Sequence, residues 1–446
     1  MQTYNSSWQK RSLAAVWHPC TQMQQAMQNP PLPIARGQGP WLFDYEGQRY
    51  FDGISSWWVN LFGHSDASIN QAISNQLKTL PHVMLAGCTH APAIELAENL
   101  SALTHGHLGH VFYASDGASA VEIALKMSFH YWRNIGQPNK QRFVCLQGSY
   151  HGETLGALSV TDVAIFRSTY DTLLQKPLLI PSPACADVRE QAARMQASLQ
   201  ALEALLKEQS EQIAAFILEP LVQCASGMLM YPPAYLSAAR ALCTAHHVHL
   251  IADEIAVGCG RTGKFLAWEH SLPKQPQAAD YPDFITLSKG ITGGTLPLSL
   301  VLSQEAIYQA FLSDDTARAF LHSHSYTGNA LACAAAVAVL KKLSLRGLNA
   351  VQEQSVLLRD AMQTLAQDPR VENVRQIGLI WACDIKTEYA GNNFSERLHQ
   401  AARKRELLIR PIGRSIYLMP PYVLTPGICT WLAQTVSLCI DDCSAA

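Results

Sequence analysis

Residues 248–254, VHLIADE, and residues 283–290, DFITLSKG, are two short apolar runs that each end in ionisable side chains. Asp253 and Glu254 close the first run, and Lys289 closes the second. Short continuous apolar runs are typical of strands that are covered on both faces of a parallel sheet. The carboxyl ends of such strands share one edge, where open α/β sheets bind ligands. We therefore predict that Asp253 and Lys289 lie at one ligand-binding edge, with Glu254 pointing away from it.

Other apolar runs of strand length follow along the chain, and most are separated by segments of helix length. They are HVFYAS at 110–115, RFVCLQ at 142–147, IAAFILEP at 213–220 and PLSLVLS at 297–303. Helical periodicity appears in SINQAISNQLKTL at 68–80 and APAIELAENLSAL at 91–103. This alternation predicts an α/β fold with a mostly parallel central sheet.

The pattern changes towards both ends of the chain, which indicates a second, smaller domain. Residues 1–65 are rich in Trp, Pro and Gly, and we interpret them as loops and short strands with a hairpin around Glu46-Gly47. Residues 66–329 form the predicted large domain. Residues 330–446 form a predicted small α+β domain, which residues 1–65 join.

The composition limits the classes of function. Charged residues make up 15% of the 446 residues, against a usual share of about 25%, so we expect a homo-oligomer to cover part of the surface. The 33 basic and 35 acidic residues nearly cancel, and no basic field predicts binding to nucleic acid or an anionic membrane. No apolar run reaches the ~20 residues of a membrane span, and the first 17 residues lack the apolar core of a signal peptide.

The cysteines and histidines predict a location and exclude one kind of site. Twelve cysteines are scattered from Cys20 to Cys443 without a CxxC pair, which is typical of free thiols in a reducing cytoplasm. The histidines at 246, 247 and 249 lie at the start of an apolar strand. We therefore predict no metal site there.

Two further strand ends carry residues suited to ligand binding. Asp116-Gly117-Ala118-Ser119 follows one strand and precedes a helix, so it predicts an anion site at the helix N-terminus. An ordinary capped helix has the same pattern. Tyr150 follows RFVCLQGS and would stack on a flat ring, although a tyrosine of the core fits this position as well.

Asp253 and Lys289 both carry charges that need partners when they are buried. A carboxylate that ends the mostly apolar run VHLIA requires a cation or hydrogen-bond donor, and a protonated pyridine nitrogen would serve. A lysine that closes an apolar strand has a lowered pKa and is a candidate Schiff-base former. A capping aspartate and a lysine that reaches water at the sheet edge are the alternatives. An anion site, a ring platform, a carboxylate and an amine together match the needs of pyridoxal 5′-phosphate (PLP).

Three segments carry a family resemblance. IADEIAVGCGRTGKFLAWEH at 251–270 and PDFITLSKGITGG at 282–294 resemble the signature of the class III aminotransferases, and HSHSYTGNALACAAA at 322–336 resembles that family's second phosphate segment. The resemblance extends from about Trp17 to Tyr422. It implies the PLP-dependent transferase fold of type I, a homodimer with both sites at the subunit interface, and a Schiff base between PLP and Lys289.

The resemblance also implies roles for individual residues. Asp253 would meet the pyridine nitrogen, Tyr150 would flank the ring, and Gly117-Ala118 would cradle the phosphate. Ser325 and the backbone of His324 would complete the phosphate cup from the other subunit. The residues implied to contact substrate are Trp57, Tyr150, Lys289, Ser323, Arg410 and Cys20, with Arg410 taking a carboxylate.

Four more segments are similar to one branch of the family. They are WHPCTQM at 17–23, DGISSWWVNLFGH at 52–64, HVMLAGCTHAPAIELAENL at 82–100 and IRPIGRSIYLMPPY at 409–422. The branch implies small-molecule substrates of biotin synthesis, with 8-amino-7-oxononanoate as acceptor and S-adenosylmethionine or lysine as donor.

Three features of the sequence depart from the family pattern. Cys20 stands where better-known members have Tyr, Ala118 where a Ser often contacts phosphate, and His324-Ser325 where Pro-Thr is common. The first and last departures leave the amino donor open. Another class III ω-aminotransferase, acting on a diamine or ω-amino acid, is the nearest alternative, and a non-catalytic PLP-binding module is a second one.

Overall fold

The computed structural model describes residues 4–444, except for the side chains at 345 and 346. The strands, numbered along the chain, are β1 Ile34–Gln38, β2 Trp41–Asp44, β3 Arg49–Asp52, β4 His110–Ala114, β5 Arg142–Leu146, β6 Leu178–Ile180, β7 Ile213–Leu218, β8 Val222–Gln223, β9 Leu229–Met230, β10 His249–Asp253, β11 Phe284–Leu287, β12 Ser299–Ser303, β13 Val371–Ile377, β14 Ile380–Ile385, β15 Leu407–Leu408 and β16 Ser415–Leu418.

The α-helical segments are α1 Tyr4–Ala15, α2 Met23–Gln28, α3 Ser55–Trp58, α4 Ala67–Leu77, α5 Ala91–Leu103, α6 Gly117–Asn134, α7 Leu155–Ser159, α8 Ala164–Arg167, α9 Gln191–Gln209, α10 Pro233–Ala245, α11 Glu305–Gln309, α12 Ala330–Lys342, α13 Leu345–Ala366, α14 Thr387–Ala390, α15 Phe394–Lys404 and α16 Pro426–Cys443. Within the described residues, none of these segments is both long and apolar enough to cross a membrane.

The central sheet has seven strands in the order β4-β12-β11-β10-β7-β5-β6. β12 runs opposite to the other six strands of this sheet, so the prediction of an α/β fold with a mostly parallel sheet is confirmed. Every residue of β7, β10, β11 and β12 is buried, as the continuous apolar runs predict. Successive residues of a strand point to opposite faces, and the sheet accordingly has an apolar core on each side.

Helix α6 covers one face of this sheet and fixes the ligand-binding edge. It packs against β12, β11 and β7 through an apolar side that includes Val121, Ile123 and Ala124. The helix begins at the carboxyl edge because Asp116 caps it there, accepting a hydrogen bond from the backbone N–H of Ser119 at 3.0 Å. Its N-terminus therefore lies beside the ends of the parallel strands.

The N-terminal region differs from the prediction. We expected only loops and short strands before residue 65, but helices occupy Tyr4–Ala15 and Met23–Gln28. No residue of the first helix is buried, which explains the missing apolar period. It is held at its start, where the Asn5 side-chain amide donates to Asp44 at 2.9 Å, and by Trp8, which stacks on Tyr45 at 5.1 Å.

Apart from the two-stranded pair β8-β9, two smaller sheets carry the remaining strands. The predicted hairpin is present as β2 and β3, which belong to a sheet of order β1-β2-β3-β15, so the two ends of the chain share one sheet. Strands β13, β14 and β16 form the other sheet. A bidentate pair between Arg375 and Asp384 stabilises it, and Arg375 also donates to the backbone of Met228 at 2.9 Å. The domain boundaries at 65 and 330 stay a prediction.

Candidate active site

A cavity of about 1380 Å³ opens at the carboxyl edge of the central sheet. Small-molecule sites commonly measure about 300–1,000 Å³, so this one has room for a cofactor together with a long substrate. The predicted site residues that line it are Cys20, Trp57, Gly117, Ala118, Tyr150, Asp253, Lys289 and Arg410. Ser323, His324 and Ser325 are not among the described residues that line the cavity of their own chain.

Lys289 stands just beyond β11, at the first residue of the 3₁₀ turn Lys289–Thr292. Its φ of +47° is rare for a residue with a β-carbon, so the turn places the side chain at a conformational cost. The side chain is half-buried and faces the cavity. Burial lowers the pKa of Lys289, while nearby Asp253 acts to raise it. A lowered pKa makes the free amine available as a nucleophile or base.

The Asp253 carboxylate is buried and is bound by three groups. His151 Nδ1 donates to Oδ2 at 2.7 Å, and the Thr286 hydroxyl and the Ile255 backbone N–H donate to Oδ1, each at 3.1 Å. Because His151 donates through Nδ1, its Nε2 is the buried atom left without a partner among the described residues. Glu254 points away, as predicted, and accepts from the backbone N–H of Trp268 at 2.7 Å.

Glu219 is a cavity residue that the sequence analysis missed. It follows β7 directly, and its carboxylate accepts the backbone N–H groups of Tyr150 at 3.1 Å and Cys224 at 3.2 Å. Burial raises the pKa of Glu219 to about 8, and Asp253 adds to the effect. With this pKa, Glu219 is mostly protonated at neutral pH, so it does not add a second buried negative charge beside Asp253. Asp253 was predicted because it ends an apolar run of strand length. Glu219 ends the run IAAFIL in the same way, so the same argument could have identified it.

The N-terminus of α6 forms the candidate phosphate end of the cavity. The first turn of a helix has backbone N–H groups without intrahelical acceptors, and Gly117 and Ala118 supply two of them. A β-carbon on Gly117 would lie 3.1 Å from the Ile255 side chain. One on Gly152, whose φ is +130°, would lie 2.7 Å from the β-carbon of Ala118. Backbone therefore reaches the cavity directly here, as an anion cradle requires.

Tyr150 lies on the cavity wall and is fixed by a hydrogen bond from its hydroxyl to Glu153 at 2.8 Å. Burial raises the pKa of the Tyr150 phenol and the bond to Glu153 adds to it, so the phenol stays protonated near neutral pH. Its ring lies 5.4 Å from that of Phe166, in the short helix α8. Ile165 and Tyr170 continue this wall and are 84% and 47% exposed.

Trp57 and Arg410 meet at another part of the cavity. The Arg410 guanidinium carbon lies 5.4 Å from the centre of the Trp57 ring. Within the described residues, Arg410 has no carboxylate within ion-pair distance, which leaves its charge available to a ligand. The neighbouring Cys20 thiol has a pKa raised by burial and by Glu153, and lowered in part by Arg410.

The two tryptophans stand in an unusual turn. Ser55, Ser56, Trp57 and Trp58 have φ of 51°, 48°, 71° and 74°. Left-handed backbone costs roughly 1–2 kcal/mol for each residue that carries a β-carbon, so this turn stores several kcal/mol. Trp58 is buried and its ring centre lies 5.4 Å from Lys289 Nζ.

The predicted second phosphate segment lies on the outside of the chain. Ser325 is exposed, and its carbonyl is bound by His82 Nε2 at 2.8 Å. His324 Nε2 lies 2.9 Å from His322 Nε2, and Lys126 Nζ lies 2.8 Å from His322 Nδ1. The lysine donates to one imidazole, which then donates to the next. The segment is thus ordered without touching its own cavity.

Comparisons with known proteins agree with this fold. Residues 22–440 match the family model described as aminotransferase class-III. A relative named adenosylmethionine-8-amino-7-oxononanoate aminotransferase, from Helicobacter pylori, is 44% identical over 93% of each chain. The crystal structure of a protein with the same name from Methanocaldococcus jannaschii has a TM-score of 0.91 and 32% identity, covering 98% of this chain and 99% of that one.

A further solved structure bears on the cofactor. It is an amine transaminase from an uncultivated Pseudomonas species, in a form described as PLP-bound, with a TM-score of 0.88 and 31% identity over 96% of this chain and 99% of that one. The chain belongs to the class III aminotransferases, and its cofactor is PLP. The residues present fit that group, because a backbone anion cradle, a fixed buried carboxylate and an amine of lowered pKa face one cavity.

The fixed carboxylate of Asp253 generates the first prediction. Asp253→Asn keeps the shape but removes the charge that would hold a proton on a pyridine nitrogen, so we expect kcat to fall by at least ~10²-fold. Steady-state kinetics on enzyme with measured cofactor content would check this.

Asp283→Asn is the matched control for that substitution. Asp283 precedes β11 at the opposite edge of the same sheet, where it pairs with Arg240 at 2.6 Å. Its loss should lower stability and leave kcat within ~3-fold, since general-acid support is not involved. Retention of most of kcat in Asp253→Asn would mean that Asp253 is structural.

Proposed function

We propose that the chain transfers an amino group to 8-amino-7-oxononanoate, giving 7,8-diaminononanoate in biotin synthesis. The observation that carries the proposal is the free guanidinium of Arg410 beside Trp57, in the same cavity as Lys289. An acceptor with a reacting carbonyl at one end, an apolar chain and a terminal carboxylate matches this order of groups. The names of relatives from Helicobacter pylori and Anoxybacillus flavithermus, 44% and 40% identical, point to the same acceptor.

Each residue has a task in the proposed reaction. Bound PLP supplies the aldehyde that takes up the amino group and the ring that accepts the electron pair of the broken C–H bond. Lys289 would remove the proton from the donor's α-carbon in the first half-reaction, and in the second it would give a proton to the carbon that was the acceptor's carbonyl carbon. Asp253 holds a proton on the ring nitrogen, and His151 keeps the Asp253 carboxylate in place. Tyr150 covers one side of the reacting group with a protonated phenol.

The amino donor is proposed as S-adenosylmethionine or lysine. Tyr150 places the carboxylate of Glu153 on the cavity wall, close enough to Cys20 to raise the pKa of that thiol. A carboxylate there suits a donor with a positive charge away from its reacting amine. The sulfonium of S-adenosylmethionine and the side-chain ammonium of lysine both meet this condition, so the residues favour a cationic donor without choosing between them.

We further propose that the active unit is a homodimer in which each subunit completes the other's phosphate site. Ser325 and His324 lie outside their own cavity, on a surface that also carries three exposed apolar side chains. Met84, Leu321 and Tyr326 are 61%, 76% and 65% exposed. Apolar exposure of this kind is typical of surfaces that bind another chain. The low share of charged residues supports the same proposal.

A cytoplasmic location is also proposed. The chain's cysteines are all free, and ten of the twelve are buried. Buried unpaired thiols are typical of proteins kept in a reducing compartment.

A paired half-reaction assay tests the proposed function. Holoenzyme mixed with S-adenosylmethionine or with lysine alone should convert its cofactor absorbance to that of the amine form, and added 8-amino-7-oxononanoate should reverse it. Mass spectrometry should then detect 7,8-diaminononanoate. Lys289→Ala should give no turnover with either donor, because the general base is missing. Turnover of ornithine, 4-aminobutyrate or a diamine, with none of 8-amino-7-oxononanoate, would favour the alternative ω-aminotransferase.

Arg410→Ala tests the carboxylate anchor. We expect KM for 8-amino-7-oxononanoate to rise by at least ~30-fold, the equivalent of ~2 kcal/mol, with cofactor content unchanged. Arg414→Ala is the control, because Arg414 lies near in sequence but pairs with Glu372 at 3.1 Å and does not line the cavity. An unchanged KM in Arg410→Ala, or a rise of equal size in both variants, would remove the main support for the acceptor.

A mixing experiment tests the shared phosphate site. Ser325→Asp places a carboxylate against the phosphate and should weaken PLP binding at least ~10-fold. Lys289→Ala is inactive for a separate reason. Dimers formed from one subunit of each variant contain one site with both native residues, provided that Ser325 acts across the interface. At a PLP concentration that loads the native enzyme but only a small part of Ser325→Asp, we expect refolded mixtures to be more active than either variant refolded alone. If no activity returns although mixed dimers form, Ser325 acts within its own chain or not at all.

A further inference from the structure

Ser55–Trp58 is a turn of four consecutive residues in left-handed backbone, and none of the four is glycine. Residues with a β-carbon visit this region singly, and glycine is the usual choice where the chain must enter it. A turn of this kind persists only where the surrounding structure holds it. The cause therefore has to lie in the contacts of the turn rather than in its own sequence.

A buried carboxylate supplies the main contact. Asp52 is fully buried, and its Oδ1 accepts the backbone N–H of Ser56 at 2.8 Å. Its Oδ2 accepts the Ser56 hydroxyl at 2.7 Å and lies 2.9 Å from His64 Nε2. The Ser55 hydroxyl donates to the carbonyl of Met419 at 2.7 Å. Asp52 thus binds both the backbone and the side chain of a strained residue.

The turn directs two adjacent indoles to different partners in the cavity. Trp58 lies 5.4 Å from Lys289 Nζ and donates from Nε1 to the Tyr417 hydroxyl at 3.2 Å. Trp57 lies 5.4 Å from the guanidinium of Arg410. One turn therefore places an indole beside each of the two charged groups, the amine of Lys289 and the guanidinium of Arg410.

The loop that follows Lys289 lies directly against the end of this turn. A β-carbon on Gly294 would approach the backbone of Val59 and Asn60 to 2.9 Å. A displacement of the turn would therefore displace the lysine loop as well. The position of Trp58 beside Lys289 depends on this close contact.

We propose that Asp52 is a positioning residue that clamps the left-handed turn through Ser56 and so fixes the spacing between Lys289 and Arg410. This spacing selects acceptors by the length of the chain between their carbonyl and their carboxylate. The inference rests on the proposed function, in which Arg410 takes the acceptor's carboxylate. Asp52 need not touch the substrate, because it acts through the turn.

The test compares Ser56→Ala with Ser56→Gly in the holoenzyme. Both variants lose the hydroxyl that donates a hydrogen bond to Asp52, but only glycine adopts a φ near 48° without strain. We expect Ser56→Ala to lower the thermal midpoint by several degrees and to alter the tryptophan signal in near-ultraviolet circular dichroism. Ser56→Gly should stay closer to the native protein in both readouts. Equal effects of the two substitutions would overturn the clamp.

Ser74 provides the matched control because it is an exposed serine inside the right-handed helix α4, Ala67–Leu77. Alanine is preferred to glycine in a right-handed helix. At Ser74 the alanine variant should therefore have the higher thermal midpoint, the reverse of the order expected at Ser56. The same order at both positions would mean that the Ser56 result reports a general effect of glycine and would count against the proposal.

Asp52→Asn tests the carboxylate itself. We expect a lower thermal midpoint and a KM for 8-amino-7-oxononanoate raised ~10-fold with a smaller change in kcat, because substrate spacing is disturbed and the reacting groups remain. Ser56→Gly added to Asp52→Asn should recover part of the lost midpoint. The positioning role of Asp52 would be overturned if the double variant recovered none of the thermal midpoint. It would also be overturned if Asp52→Asn lowered kcat and left KM unchanged. If Asp52→Asn does not fold, the two Ser56 variants decide alone.

Selectivity is measured with acceptors one methylene shorter and longer. One methylene commonly changes kcat/KM by ~10–200-fold, and Ser56→Ala should reduce the native preference at least ~3-fold. Unchanged selectivity would overturn the spacing role. A native enzyme inert towards 8-amino-7-oxononanoate would refute the proposed function, whereas the midpoint and dichroism comparison of Ser56→Ala with Ser56→Gly needs no substrate and tests the clamp independently.

Discussion

The charge of Asp253 has to be balanced inside the protein, because every residue of its strand is buried. His151, Thr286 and the Ile255 backbone bind the carboxylate and fix its direction. Burial raises the pKa of neighbouring Glu219, and the charge of Asp253 adds to that effect. Burial lowers the pKa of Lys289, and the same charge opposes that change. One carboxylate at the sheet edge thus acts on both ionisable neighbours in the cavity.

Two of the segments that carry functional side chains have strained backbone. Lys289 has left-handed backbone at the end of β11, and Ser55–Trp58 forms a complete left-handed turn. The two segments meet where Gly294 packs on the backbone of Val59 and Asn60. The free energy gained by burying the strands of the sheet offsets the conformational cost of these two segments.

The sequence predicted the central sheet well, because continuous apolar runs have one simple explanation in a covered parallel sheet. Asp253 and Lys289 were found because they end such runs, and Glu219 was overlooked although it ends one too. The first helix was missed because it buries none of its residues and so has no apolar period. The turn at Ser55–Trp58 gave no signal, since it lacks the glycines that mark left-handed backbone. The roles proposed for His324 and Ser325 involve a second chain, which intrachain patterns do not describe.

The two sides of the cavity differ in how freely they can change during evolution. On one side, the indoles of Trp57 and Trp58 are tied to strained backbone and to the lysine loop, so most replacements there disturb several contacts at once. On the other side, Ile165 and Tyr170 belong to short, exposed segments around α8. Replacements at such positions usually change stability by less than ~0.5 kcal/mol. Replacements in the exposed wall can thus alter the shape of the cavity while leaving the Trp57-Trp58 turn and the lysine loop undisturbed.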